Sequence, residues 1–172
     1  MTQTTVTICD YNPEWKDKFN DEKEKIISLL GKQVIGIEHI GSTSIKGLAA
    51  KPIIDILIGV EDIEDVERFV NPLKTVEYEY VPKPEWGDRR FFRKGTWGKG
   101  TVHIHICEIN SKEWKEKLLF RDYFRKHPEI AQEYEYLKKS LAATYKNDRH
   151  TYTNKKAPFI QHVIEKAKTD KK

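Results

Sequence analysis

The run Ile53, Ile54, Asp55, Ile56, Leu57, Ile58 limits the fold more than any other part of this chain. Apolar residues on both alternating faces call for a central strand covered on both sides, so the sheet that holds it must carry helices. Asp55 interrupts that run, and a carboxylate there is costly to bury unless a metal, another cation or a hydrogen-bond network receives it. The residues just before the run have a consistent character. Gly41 lets the backbone turn sharply and a ligand approach it closely. Ser42, Thr43 and Ser44 add hydroxyls, and Gly47, Ala49 and Ala50 keep the segment slim. Lys51 supplies a point charge suited to phosphate, and Pro52 biases it toward an extended conformation. The order suits a phosphate-receiving loop followed by a strand with a metal-binding carboxylate. A plainer reading stays open, in which Asp55 accepts backbone amides at the strand mouth and the loop is only a tight turn.

The 172 residues fit one domain, 1–172, with enough chain to bury a sizeable core. With 38% hydrophobic and 34% charged residues, no stretch reaches the roughly 18 apolar residues of a membrane span. The N-terminus lacks a basic segment followed by an apolar one, so a cytoplasmic protein with no membrane partner is expected. Cys9 and Cys107 are read as free thiols. A net charge of +4 is too small to indicate a nucleic-acid partner, while anionic small molecules are compatible with it. The oligomeric state is not encoded in any feature of the sequence.

Periodicity predicts a mixed α/β region followed by a helical one. A short strand is expected at 6–9, then a helix opened by Asn12 and Pro13, striped by Trp15, Phe19, Ile26, Ile27 and Leu30 and ended by Gly31. Strands follow at 34–40 and 53–60, and a helix at 62–70 stopped by Asn71 and Pro72. Further strands are expected at 76–81, 89–94 and 101–107, with a hairpin turn at 97–100. Ser111 caps a helix to 127, Pro128 starts another to 145, and Thr153 or Asn154 caps a last one from 154 to 168. Positions 134–145 read as a packing helix.

At this point the residues resemble a known family. Ile40, Gly41 and Ser42, then twelve residues, then Asp55 on a strand is similar to the nucleotidyltransferase superfamily that includes DNA polymerase beta. That pattern carries a second acidic residue two positions on, and here the position holds Leu57. More specifically, HIGSTSIKGLAAKPIIDI, HIHIC, LLFRDYFRKHPE, YLKKSLA, NDRHTYTNKK and PFI, in that order over 11–167, resemble the GrpB family, which also occurs fused to some bacterial dephospho-coenzyme A kinases. The resemblance implies a nucleotidyltransferase-like mixed sheet flanked by helices, with a helical C-terminal part. It does not bring a reaction with it.

His103 and His105 alternate with Val102, Ile104 and Ile106, so both imidazoles face one side about 7 Å apart along the strand. If that strand lies beside Asp55, one of them takes the place of the superfamily's third carboxylate, and the three residues form a candidate metal set. Imidazole favours Zn²⁺, Mn²⁺, Fe²⁺ or Ni²⁺, whereas Mg²⁺ favours oxygen. Hydrogen-bonded, metal-free histidines are the alternative. The candidate catalytic pair is Asp55 and Ser42. Candidate substrate contacts are His39, Gly41, Ser42, Thr43, Ser44, Lys51, Arg89, Arg90, Tyr152 and Lys155. For Arg89 and Arg90 a solvated sheet edge is the competing reading. The expected ligand is a nucleotide or another phosphorylated small molecule, with a divalent metal (Mg²⁺, Mn²⁺ or a transition ion) and no organic cofactor. The competing functions are a catalytically reduced module related to coenzyme A metabolism and a transition-metal hydrolase.

Overall fold

The Asp55 run forms an interior strand of a mixed sheet whose strand order is β1-β2-β5-β4-β3. A computed structural model describes residues 7–96 and 99–170. Its strands are β1 (Gly36–Ile40), β2 (Ile54–Val60), β3 (Glu79–Val81), β4 (Arg89–Thr96) and β5 (Lys99–Glu108). The central pair, β2 and β5, is parallel, with Asp55 opposite His103 and Leu57 opposite His105. β1 and β4 flank this pair in antiparallel fashion. The helices are α1 (Glu14–Leu30), α2 (Glu67–Lys74), α3 (Lys112–Lys126), α4 (Pro128–Thr144) and α5 (Arg149–Asp170).

Strand alternation sorts the residues onto two faces. On one, Ile54, Ile56 and Ile58 join Val102, Ile104 and Ile106 under Trp15, Phe19, Ile26 and Leu30 of α1 and Phe69 and Leu73 of α2. On the other, Leu57 packs with Ile40, Cys107 and Trp114 of α3, while Asp55, His103 and His105 occupy the neighbouring positions. A third cluster seats Ile45 and Leu48, from the segment after β1, among Tyr123, Phe124, Ala131, Tyr134 and Val163 of α3, α4 and α5. The three C-terminal helices therefore hold the Gly41-Ser42 loop from outside, against a strand fixed from both sides.

Several boundaries differ from the sequence reading. Of the expected strand at 6–9, Cys9 makes an isolated bridge to Ala50 and residue 6 lies outside the described residues. α1 begins at Glu14, whose amide donates to the Asn12 side chain, and Ile27 is exposed rather than buried. α2 continues through Asn71 and Pro72, because Phe69 and Leu73 on its inner face are buried in the core and outweigh the proline. β3 is shorter than 76–81, since Glu77 takes a positive φ of 73° in a turn. α5 starts at Arg149, five residues early: Asp148 accepts from the amide and hydroxyl of Thr151 and caps it in place of Thr153 or Asn154. The hairpin turn includes positions 97 and 98, outside the described residues. Among the described residues no helix is long and apolar enough to cross a membrane.

Candidate functional site

β2 and β5 bring three polar side chains to one point. Asp55 Oδ1 lies 3.6 Å from His103 Nδ1 and 3.6 Å from His105 Nε2. That is too long for a direct hydrogen bond. It matches the spacing of atoms that share one ion: metal bonds of about 2.0–2.2 Å in tetrahedral geometry place ligands roughly 3.3–3.6 Å apart. The ligand atoms of all three residues fall within 4.8 Å of one another. Burial would raise the Asp55 carboxyl, but the facing imidazoles of His103 and His105 hold it well below the usual carboxylate range. Burial pushes His105 down, outweighing Asp55. An anionic carboxylate beside a neutral imidazole is the protonation state that metal binding requires. The second nitrogen of His105, Nδ1, is buried with no partner among the described residues, and Phe91 and Trp86 stand beside that ring.

Gly41 ends β1 against the same carboxylate. Its backbone (φ 75°, ψ −177°) belongs to a region that essentially only glycine visits. A Cβ there would stand 2.6 Å from Asp55 Oδ2. The hydroxyls that follow are mostly engaged. Ser44 Oγ donates to the Gly41 carbonyl, and Thr43 Oγ1 donates to the Ile53 carbonyl at 3.1 Å. Ser42 is half-buried where Thr43 and Ser44 are buried, and it lies against the buried Tyr134 hydroxyl.

Across from this loop, basic groups gather. Lys51 Nζ lies 5.3 Å from the Tyr152 ring centre, and Lys156 Nζ 4.8 Å from the same centre. Tyr152 is buried and its hydroxyl has no partner among the described residues. Burial, then the nearby Lys156 and Arg149, push Lys51 down to about 7. Burial also lowers Lys156, with Asp55 pulling the other way. Lys138 donates to the Ala49 carbonyl at 2.6 Å and is pushed down to about 7 by burial and by Lys156. Among the described residues, no carboxylate lies within ion-pair distance of Lys51, Arg149 or Lys156, although ion pairs are formed elsewhere on the molecule. Crowded cations of this kind attract an anion.

The structure distributes the sequence candidates unevenly. Asp55, His103 and His105 converge, Gly41 backs onto Asp55 with Ser42 next to it, and Lys51, which feels the Asp55 charge, lies over Tyr152. His39 does not join them: it pairs with Ile56 in the sheet and so faces α1, stacking on Phe19 with ring centres 4.8 Å apart. Its Nε2 lies 3.0 Å from Thr43 Oγ1 and, since that oxygen donates to Ile53, carries the proton between them. Burial pushes His39 down to about 4. Arg89 lies on the Asp55 face but pairs with Glu113 at 3.1 Å and stacks 3.8 Å from the Trp86 ring centre. Arg90 faces the other way and pairs with Glu64. Lys155 is exposed, and Lys156, one residue on, holds the inward place. Tyr134 and Lys138, read from the sequence as packing positions, also face this region. Their signal was a Tyr followed four residues later by Lys, repeated as Tyr152 and Lys156, which places each ammonium over its own ring.

The GrpB protein family model matches residues 5–166. The chain belongs to the GrpB family. It is 40% identical over 163 residues to the glutamate-rich protein GrpB of Alkalihalophilus pseudofirmus, covering 92% of this chain and 94% of that one. It is 45% identical to the YqkA protein of Bacillus subtilis, over 97% of this chain but 48% of that protein. A dephospho-CoA kinase of Mycolicibacterium paratuberculosis matches 97% of this chain at 24% identity, over 47% of its own length. Among solved structures, the conserved protein GrpB from Enterococcus faecalis superposes with a TM-score of 0.87 at 38% identity, covering 94% of this chain and 96% of that one. The Cid1 poly(U) polymerase superposes with a TM-score of 0.52 at 13% identity, over 79% of this chain and 43% of that one. The fold is therefore nucleotidyltransferase-like, as the resemblance implied.

Proposed function

We propose that this GrpB-family chain binds a nucleotide or a related phosphorylated small molecule in the cleft between Ser42, Asp55 and α5, together with one divalent transition ion. The observation that carries the reading is the pair of 3.6 Å separations centred on Asp55 Oδ1. Asp55, His103 and His105 would hold the ion, and two nitrogens with one oxygen suit Zn²⁺, Mn²⁺, Fe²⁺ or Ni²⁺ better than Mg²⁺. Such an ion supplies charge stabilisation at a phosphoryl oxygen and orients the group for in-line displacement. The chain's own groups do the rest. Lys51, Arg149 and Lys156 neutralise phosphate charge, the Tyr152 hydroxyl donates to a phosphate oxygen, and Ser42 meets the ligand beside Gly41. The positive charges seat the ligand with its phosphoryl groups toward Asp55.

Leu57 favours a second reading, a module that binds without turnover. At the place of the second carboxylate it is fully buried among Ile40, Cys107 and Trp114, so α3 closes the position where another ion would sit. A coenzyme A derivative is then a natural ligand, given the family's fusion to dephospho-CoA kinases.

The test is calorimetry and turnover with ATP, UTP and coenzyme A, in the presence of Mn²⁺ or Co²⁺, on the native chain and on Asp55→Ala and His103→Ala. The expected result is one ion per chain and ion-dependent ligand binding, both lost in the two variants. Binding without product supports the module. Ligand binding that is indifferent to the ion and to both variants sinks the metal-centred reading.

A further inference from the structure

Behind the Gly41-Ser42 loop, away from His103 and His105 and lined by His39, lies a cavity of about 710 Å³, in the size range of small-molecule sites. It opens beside the edge strand β1, between α1, α3 and α4, and neither Asp55, His103, His105 nor Lys156 lines it. Tyr11, Phe19 and Phe124 give it an aromatic wall. Its acidic groups are already engaged: Glu38 receives Arg121 at 2.7 Å, and Glu135 accepts the Ala49 amide at 2.6 Å and faces Lys139. Its other basic groups lack an acidic partner. Lys16, Lys46 and Arg125 line the same space, and none has a carboxylate within ion-pair distance among the described residues. The first turn of α4, through Pro128 and Ala131, adds the positive end of a helix dipole. The uncompensated charge facing the cavity is positive.

We infer that this cavity is a second binding site, for a small aromatic anion, with Arg125 as the anchor of its charge and the aromatic wall receiving its ring. The site is separate from the metal-centred cleft and does not depend on the reading of that cleft. It is nonetheless joined to it through the loop. Arg125 donates through Nε and Nη2 to the Ser44 carbonyl at 3.2 and 3.0 Å, Ser44 Oγ donates to the Gly41 carbonyl, and Gly41 backs onto Asp55. An anion that engages Arg125 competes with the Ser44 carbonyl for the guanidinium, so occupancy is felt at Asp55, and the coupling runs equally in reverse.

Phenyl phosphate is the probe, titrated by calorimetry into the metal-free full chain, with inorganic phosphate as the comparison. The expected result is binding at least tenfold tighter for phenyl phosphate, weakened at least fivefold by Arg125→Ala and by Lys46→Glu and unchanged by Lys156→Ala. Lys46 is exposed, so its charge reversal leaves the fold intact and keeps the test meaningful should Arg125→Ala disturb the loop. Binding that survives both cavity variants, binding lost in Lys156→Ala, or no binding at millimolar probe overturns the inference.

Discussion

Gly41→Ala separates the backbone demand of the loop from its contact with Asp55, the carboxylate proposed to hold the metal. At φ 75° and ψ −177° an alanine carries a strain of about 1–3 kcal/mol. Its Cβ would also lie 2.6 Å from Asp55 Oδ2 and 3.2 Å from the Asp55 Cβ, so the carboxylate has to swing away. Swinging Oδ2 carries Oδ1 off the point where it faces both imidazoles at 3.6 Å. Gly47→Ala is the matched control: its φ is 84°, yet no atom lies within 4 Å of the Cβ position. Gly47→Ala therefore meets backbone strain alone. In a chain of this length each kcal/mol shifts Tm by about 2–4 °C. Both variants should melt several degrees lower, measured by circular dichroism. Only Gly41→Ala should lose affinity for Co²⁺, by about tenfold or more, equivalent to about 1.4 kcal/mol. Equal Co²⁺ affinity in the two variants would refute the contact between Gly41 and a metal-binding Asp55.

Leu57→Asp should not restore a second metal carboxylate. It introduces an unpaired charge into a buried apolar cluster and should destabilise the chain by about 3–5 kcal/mol in urea titrations, with no new turnover. Lys156→Met should weaken ATP binding by about tenfold or more, the scale of one charge-assisted hydrogen bond, while Lys155→Met leaves it within twofold. Acidification should weaken the fold through His39. Held near 4 when folded and near 6.5 when unfolded, it takes up a proton more readily in the unfolded chain, so its contribution is complete above pH 6.5 and falls as pH drops to 4. The loss is about 3 kcal/mol across that window, from about 1.4 kcal/mol per pH unit. Urea titrations at pH 7, 5 and 4 should show it, and His39→Gln, which retains a donor for Thr43, should flatten the dependence. An unchanged slope in that variant would remove His39 as the cause.

Much of the fold was legible because its signals are local and periodic. The apolar run around Asp55 is the doubly covered strand, and the alternation of His103 and His105 places both on one face. Their meeting with Asp55 was conditional on strand order, which no local pattern encodes, and the parallel pairing of β2 with β5 supplies it. His39 neighbours Gly41 in sequence, but strand alternation turns it to the face opposite Asp55. Lys155 and Lys156 are separable only by the packing of α5, which turns the side carrying buried Tyr152 and Lys156 inward and leaves Lys155 exposed. The cavity behind the loop had no sequence signal, since its walls come from α1, β1, α3 and α4.

The pairing of β2 with β5 has a consequence for how the chain reaches its fold. A slip of one residue along β5 would turn His103 and His105 into the space beneath Ile26, Phe69 and Leu73 and push Ile104 and Ile106 out beside Asp55. Two imidazoles would then lose their polar surroundings, and two isoleucines their oily ones. The residues assigned to the ligand therefore also guard the alignment of the central pair, and this task continues whether or not any ligand ever arrives.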